Sequence, residues 1–506
     1  MSRPQHRASV RAPQSWSPLS IESDPDLIRS FLTDAAHVPG GTAAGVIFPS
    51  NAEETAAAVR QAEHVLAVGA QSSLTGGATP RGELVLSTRR MTRIEEPELG
   101  RVRVGAGVAL SELQRFLASR HLYYPPGPTY DGAFIGGTIA TNAAGPATFK
   151  YGVTRAWVHA ITVVLADGSI LDLTRGDVHA SDTGVFEIET VSRGLVSVTV
   201  PTYNMPVHLP KLSAGYCVGP GLDLVDLFVG SEGTLGIITD ATLRVIRRPQ
   251  RSVALLTCAS EQQAIAASAQ LAASPLDVAA IEYIDTSSLQ LLDTATFARA
   301  RVERPAAAAS MLLVQIEIGD ALDAALTALD AVVQISGISA DPIVALPDDD
   351  RGAARLFELR EAVPAAVNAR VGAAQAEIDP AIQKTAGDFI VPVAAIDRAL
   401  ALYREAFERR GLHYAIWGHI SDGNLHPNLI PHSLQDVERG REALREMARG
   451  VIALRGAPLA EHGVGRSTLK QEFLREMYGD EGIEQMRAVK RALDPDAKLA
   501  RGVLFS

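Results

Sequence analysis

The sequence predicts an α+β protein of two or three domains, on three observations. Residues from about 38 to 250 are rich in Gly, Val, Ile and Thr, with short strands such as RVRVGAGV (101–108) and AITVVLADGSILDL (160–173) broken by glycine turns. From about 251 onward, alanine-rich stretches with apolar residues at helical spacing alternate with single strands, without the regular βαβ repetition of a parallel sheet. The length, 506 residues, exceeds what one core usually fills, since domains run about 50–250 residues.

The elements follow in order. The first 20 residues, MSRPQHRASVRAPQSWSPLS, carry Arg and Ser without an acid, as a transit peptide does, but lack an amphipathic stripe or an apolar secretory core. A partly disordered basic tail over 1–37 is the expectation. In RVRVGAGVALSEL (101–113), Leu110 stands where a dinucleotide fingerprint would place its third glycine, so Gly105 and Gly107 read as a tight strand-to-helix turn. EQQAIAASAQLAA (261–273), DALDAALTALDAVVQIS (320–336) and IDRALALYREAFERRG (396–411) read as helices, the last ending at Gly411 as a C-terminal cap. SMLLVQIEI (310–318) and LHYAIWGHI (412–420) read as strands, and the domain boundary falls near RVIRRPQRS (244–252).

Composition excludes several classes. Lys plus Arg number 47 against 58 Asp plus Glu, a net charge of −11, which argues against a nucleic-acid partner held through phosphates. No apolar run approaches the ~20 residues that span a bilayer. Two cysteines, Cys217 and Cys258, are too few for a disulfide framework, an iron–sulfur cluster or a cysteine zinc site, and a cytoplasmic placement, free or at a membrane periphery, is expected.

WGHISDGNLHPNLI (417–430) places two histidines around an Asp-Gly pair, the strongest short-range mark of a two-residue hairpin turn. With Asp422 and Gly423 as the turn, His419 faces His426 on one side of the ladder, with Cβ atoms about 4.5–5.5 Å apart. That spacing permits a shared metal ion and equally permits a packed polar pair. Three further loops are rich in Gly, Ser, Thr and Asn: AVGAQSSLTGGATP (67–80), YPPGPTYDGAFIGGTIATNAAGP (124–146) and FVGSEGTLGII (228–238). Glycines let backbone N–H groups approach an anion, so three such loops point to a long phosphorylated cofactor.

Together VGAQSSLTGG, PPGPTYDGAFIGGTIATNAAGPATFKYGVTR, VVLADG, PGLDLVDLFVGSEGTLGIIT, WGHISDGNLHPN and EHGVGRSTLK, in that order, closely resemble the FAD-dependent 2-hydroxy-acid dehydrogenases. That group includes cytochrome-linked D-lactate dehydrogenases, the flavin subunit of glycolate oxidase and D-2-hydroxyglutarate dehydrogenase. The resemblance implies an FAD domain of the p-cresol methylhydroxylase type over 38–250, built of two α+β subdomains. It further implies an antiparallel-sheet cap domain over 251–465, and a C-terminal segment, 466–506, returning to the FAD domain.

The resemblance also implies site residues. Gly69, Ala70, Gln71, Ser72, Ser73, Leu74, Gly76 and Gly77 correspond to the pyrophosphate turn of a non-covalently held FAD. Pro126, Gly136, Gly137, Thr141, Asn142 and Gly145, then Tyr151, Gly152 and Thr154, correspond to the second cofactor loop, and Glu232, Gly233, Thr234, Gly236 and Ile237 to the segment along the cofactor. His419, His426 and Glu461 correspond to the ligands of a divalent metal, zinc or manganese. His462 corresponds to the catalytic base, and Arg360 to the arginine that holds the substrate carboxylate. Lys384 and Asn424 are further substrate contacts.

Two departures stand out. Pro364 replaces the threonine one turn after the arginine in the hydroxyglutarate enzymes, which favours a monocarboxylate such as D-lactate. Ala500, in LARGVLF, replaces an asparagine. The expected reaction is oxidation of a D-2-hydroxy acid to the 2-oxo acid with electrons passed to a quinone, a cytochrome or an electron-transfer flavoprotein, in a homodimer or hetero-complex. A glycolate oxidase subunit, a hydroxyglutarate dehydrogenase, a sugar or aldonolactone oxidase on the same FAD domain, and a non-catalytic flavin sensor are the alternatives.

Overall fold

The computed structural model describes residues 6–14, 17–305, 309–319 and 321–505. Among the described residues the first domain holds four sheets, including a small parallel one and a four-stranded antiparallel one. Gly45–Ile47, Leu84–Ser87 and Val65–Val68 form a small parallel sheet with Leu84–Ser87 at its centre. Four antiparallel strands form the second, in the order Arg101–Gly105, Ile237–Arg244, Val158–Val164, Ile170–Thr174. The strand-to-helix turn read at Gly105 and Gly107 is present, because the helix Leu110–Ala118 follows directly. A Cβ on Gly107 would lie 2.0 Å from the Thr88 carbonyl, so the turn requires glycine.

Of the tail expected to be partly disordered, the described part packs along this domain. Arg7–Ala8 pairs in parallel with Val185–Thr190, and Arg11 bridges Ile170 and forms an ion pair with Asp172 at 2.8 Å. Residues 1–5, 15 and 16 lie outside the described residues.

A seven-stranded antiparallel sheet makes the second domain, in the order Ile343–Ala345, Gln250–Cys258, Ser310–Ile318, Val278–Ile284, His413–His419, Asn424–Ile430, Phe389–Ile390. Its central strands read as unbroken apolar runs because helices cover both faces. Leu312 and Val314 join the main core that continues into the first domain, whereas their neighbours Met311 and Leu313 join a second core against the helix Asp350–Glu377. The expected helices form at Glu261–Ala273, Leu322–Ile335 and Ile396–Glu408, and Gly411 is left-handed as a cap requires.

After the kinked helix Thr468–Leu493, the chain returns to the small parallel sheet, where the Ala500 N–H donates to the Val65 carbonyl. No described helix is long and apolar enough to cross a membrane.

The hairpin differs from the two-residue turn. His419 pairs with Asn424 and Trp417 with His426, leaving a four-residue connection over 420–423. Ser421 and Asp422 are drawn out of the ladder: the Ser421 N–H donates to the Ile281 carbonyl and Asp422 pairs with Lys211. The slip is two residues, so the period-2 rule keeps both histidines on one face.

Candidate active site

Along the hairpin, Ala415, Trp417 and His419 point to the face covered by the helix Asp350–Glu377, and this apolar face turns polar at its end. Glu282, directly opposite His419 on the adjoining strand, supplies a carboxylate against His419 Nδ1. Asp388, two residues before Ile390, is the corresponding acid beside His426, 3.8 Å from its Nδ1. Arg360, on the covering helix, reaches Glu282 at 2.6 Å and Glu361 at 3.2 Å. Pro364 has no N–H for the Arg360 carbonyl and sits inside that helix.

The polar groups converge on one point. Glu461 Oε1 lies 3.4 Å from Nε2 of each of His419, His426 and His462. The rings of His419 and His426 are 5.5 Å apart, and His462 stacks on His426 at 5.2 Å. Asp388, His426, Glu461 and His462 present ligand atoms within 4.8 Å of one another. Asp388 is the less available donor of these, because its Oδ2 accepts the N–H groups of Glu461 and His462 and its Oδ1 accepts the Asn424 amide. His419, by contrast, has Nδ1 occupied by Glu282 and a buried Nε2 without a hydrogen-bond partner. Two imidazoles and a carboxylate form a donor set suited to zinc or manganese, with His419 held from behind by Glu282, whereas His426 Nδ1, 3.8 Å from Asp388, makes no hydrogen bond.

The electrostatics follow from burial and pairing. Burial disfavours the His419 imidazolium, but the Glu282 carboxylate outweighs it and raises the pKa to about 9. Glu282 is correspondingly lowered to about 2 against its own burial, by His419 and Arg360. Burial pushes His426 down to about 4. Glu461 is held well below the usual carboxylate range, burial notwithstanding, by Lys211 and His419.

Glu461 and His462 also line one wall of a cleft of about 320 Å³ whose other walls are the glycine loops. Of the expected cofactor contacts, Gly69, Ala70, Gln71, Ser72, Ser73, Leu74, Gly77, Gly136, Gly137, Thr141, Glu232, Gly233, Gly236 and Ile237 line it. A Cβ on Gly137 or Gly233 would meet nothing within 4 Å, so these glycines leave open the space a cofactor needs.

The structure does not bring the remaining eight, Gly76, Pro126, Asn142, Gly145, Tyr151, Gly152, Thr154 and Thr234, to the cleft wall. Asn142 joins loops instead, accepting from the Arg155 N–H, and Thr154 donates to the Ala143 carbonyl. Tyr151 turns its hydroxyl to Glu317 of the second domain. The Glu232 side chain is spent on the loop after His462, accepting the N–H groups of Val464 and Gly465 at 2.8 Å each.

The two further substrate contacts fare differently. Asn424 is buried, with its amide donating to Asp388 and Phe389, so it braces the site from behind instead of offering that donor to a substrate. Lys384 is half-buried without an ion-pair partner among the described residues, and burial lowers its pKa. Sequence reasoning missed Glu282, Asp388 and Lys211. The lone acid within AAIEYI was a usable signal for the first, since an unpaired charge in an apolar strand is costly; nothing around Lys211 marked it.

The family described as "FAD linked oxidases, C-terminal domain" matches residues 247–504, and "FAD binding domain" matches residues 43–174. The chain belongs to the FAD-linked oxidases. This FAD-linked oxidase is 28% identical over 473 residues to the glycolate oxidase subunit GlcD of Bacillus subtilis, covering 91% of this chain and 88% of that one. It is 28% identical to a probable mitochondrial D-lactate dehydrogenase of Danio rerio, over 89% and 82% of the two chains. The D-2-hydroxyglutarate dehydrogenase of Stutzerimonas stutzeri is 27% identical, with 97% of both chains covered.

Among solved structures, alkyldihydroxyacetonephosphate synthase superposes with a TM-score of 0.65 at 15% identity, over 95% of this chain and 81% of that one, a likeness of fold. The protein is thus an FAD-linked oxidoreductase of the D-lactate, glycolate and D-2-hydroxyglutarate dehydrogenase group, with an FAD domain of the expected type followed by the oxidase C-terminal domain.

Proposed function

We propose that this FAD-linked oxidase converts a D-2-hydroxy acid with one carboxylate, of which D-lactate is the type, into the 2-oxo acid, with a divalent metal at His419, His426 and Glu461. The observation that carries the reading is His462: it lines the FAD cleft, and its Nε2 is 3.4 Å from the carboxylate oxygen on which two other imidazoles converge. When bound, FAD supplies the hydride acceptor and the metal lowers the pKa of the substrate hydroxyl.

The chain's residues do the rest. His462, with Nδ1 3.5 Å from Asp388 Oδ2, is oriented to take the hydroxyl proton at Nε2. Arg360 takes the substrate carboxylate through its Nη edge, displacing the half-exposed Glu361, while Glu282 keeps Nε. Lys384 adds positive charge. Pro364 offers no hydroxyl for a second carboxylate, which favours lactate over hydroxyglutarate. A flavin-binding protein without turnover would have no use for three imidazoles and a carboxylate beside the cofactor. The electron acceptor is proposed to be a quinone, a cytochrome or an electron-transfer flavoprotein.

Anaerobic bleaching of the oxidised flavin by a panel of D- and L-2-hydroxy acids tests the reading. D-lactate is expected to bleach it, chelation to abolish the reaction, and zinc or manganese to restore it. His462→Gln is expected to slow bleaching by about 10²–10⁴-fold. Absence of bleaching by every acid, with metal supplied, would overturn the proposal.

A further inference from the structure

Lys211 is the first domain's contribution to the polar centre of the second. Its side chain is wholly buried, with Nζ 3.0 Å from Asp422 Oδ2 and 3.1 Å from Glu461 Oε2. The two oxygens of Glu461 therefore differ: Oε2 faces an ammonium, and Oε1 faces three imidazole nitrogens at 3.4 Å. Asp422 belongs to the four-residue connection of the hairpin, so the same ammonium also fixes the turn between the two histidine strands. An ammonium is a point charge with several donors, able to hold two carboxylates at once where the chain permits no water.

We propose that Lys211 is a positioning residue that keeps Glu461 to one donor oxygen. By occupying Oε2 it prevents both carboxylate oxygens from turning to a divalent ion held by His419, His426 and Glu461. Positions on the ion then stay open for the two oxygens of an α-hydroxy acid. The inference rests on the metal reading above and deepens it, because it assigns the choice of a two-oxygen chelating substrate to a residue that touches neither metal nor substrate.

The sign of the effect separates this role from a structural one. Removing an ammonium from a buried site favours a nearby cation, so Lys211→Met is expected to retain its ion at least as tightly as the parent protein. A lysine that merely held the site together would lose the ion on substitution.

The experiment uses the full-length protein with FAD bound and compares it with Lys211→Met and with Lys211→Met combined with Asp422→Asn, which preserves the local charge balance. Elemental analysis and chelator competition read zinc or manganese, the visible spectrum reads FAD, and perturbation of that spectrum reads the affinity for oxalate, a two-oxygen chelator. Water proton relaxation with manganese bound counts exchangeable water on the ion.

The expected result is retained FAD and metal, oxalate binding weaker by tenfold or more, and fewer exchangeable waters. Unchanged oxalate affinity, loss of the ion, or failure of both variants to fold overturns the inference and leaves the metal reading standing. If the parent protein holds no divalent ion, the metal reading and this inference fall together.

Discussion

Asp285 does two jobs that pull against each other. It caps the helix Thr286–Leu291, accepting the Ser288 N–H at 2.7 Å, and it is buried, which pushes its pKa up to about 6. A carboxyl whose folded pKa lies above the unfolded value binds its proton more tightly in the native state, so stability falls as pH rises from about 4 to 6 and stays lower above that. Asparagine caps equally well without the charge. Asp285→Asn is expected to gain about 2 kcal/mol at pH 7, with the gain gone near pH 4, as read by urea unfolding at the two pH values.

Ala500 is informative in another way. Its φ of 46° is left-handed, a conformation that asparagine tolerates better than alanine. The histidines and the glutamate of the proposed centre were legible in the sequence as GHISDGNLH and EHG, but the acids beside them were not. Glu282 lies 137 positions from His419 in the chain, and only the strand order puts them side by side.

At the scale of elements, the hairpin shows what local patterning can and cannot fix. The Asp422-Gly423 turn placed His419 opposite His426 on one face, and that shared face survives a register slip of two. The length of the turn was set by contacts outside the hairpin, with Ile281 and Lys211. Gly423 marks where those contacts close in: its φ is 83°, and a Cβ would lie 2.0 Å from the Val391 carbonyl. Gly423→Ala is expected to cost roughly 2 kcal/mol or more and to lower metal content, measured by urea unfolding together with elemental analysis. The glycine loops were legible as cleft walls where the backbone itself faces the cleft, as at Gly137 and Gly233. They were less so where a side chain turns away, as Tyr151 and Thr154 do.

At the scale of the molecule, Tyr151 belongs to a joint between the domains. Glu317, on the strand Ser310–Ile318, receives Lys150 at 2.5 Å and Arg251 at 2.9 Å as well as the Tyr151 hydroxyl, and Lys150 also reaches Asp277 at 2.6 Å. Removing the one carboxylate that several partly buried donors share leaves them uncompensated. Glu317→Gln is expected to cost about 2 kcal/mol and to separate the unfolding of the two domains, seen as two urea transitions followed by flavin and by tryptophan fluorescence.

The sequence by itself determined the α+β class, the helices at 261–273 and 396–408, the shared face of the two hairpin histidines and the glycine loops, because each depends on near neighbours in the chain: apolar period, a turn glycine, a missing side chain. Only the tertiary structure decided that Glu282 and Asp388 flank the imidazoles, that Lys211 crosses from the other domain to Glu461, and that Arg360 is already partnered. Those contacts follow from strand order and domain docking, which are settled by burial summed over the whole chain; a short stretch such as AAIEYI shows that a buried acid needs a partner, not which partner it finds.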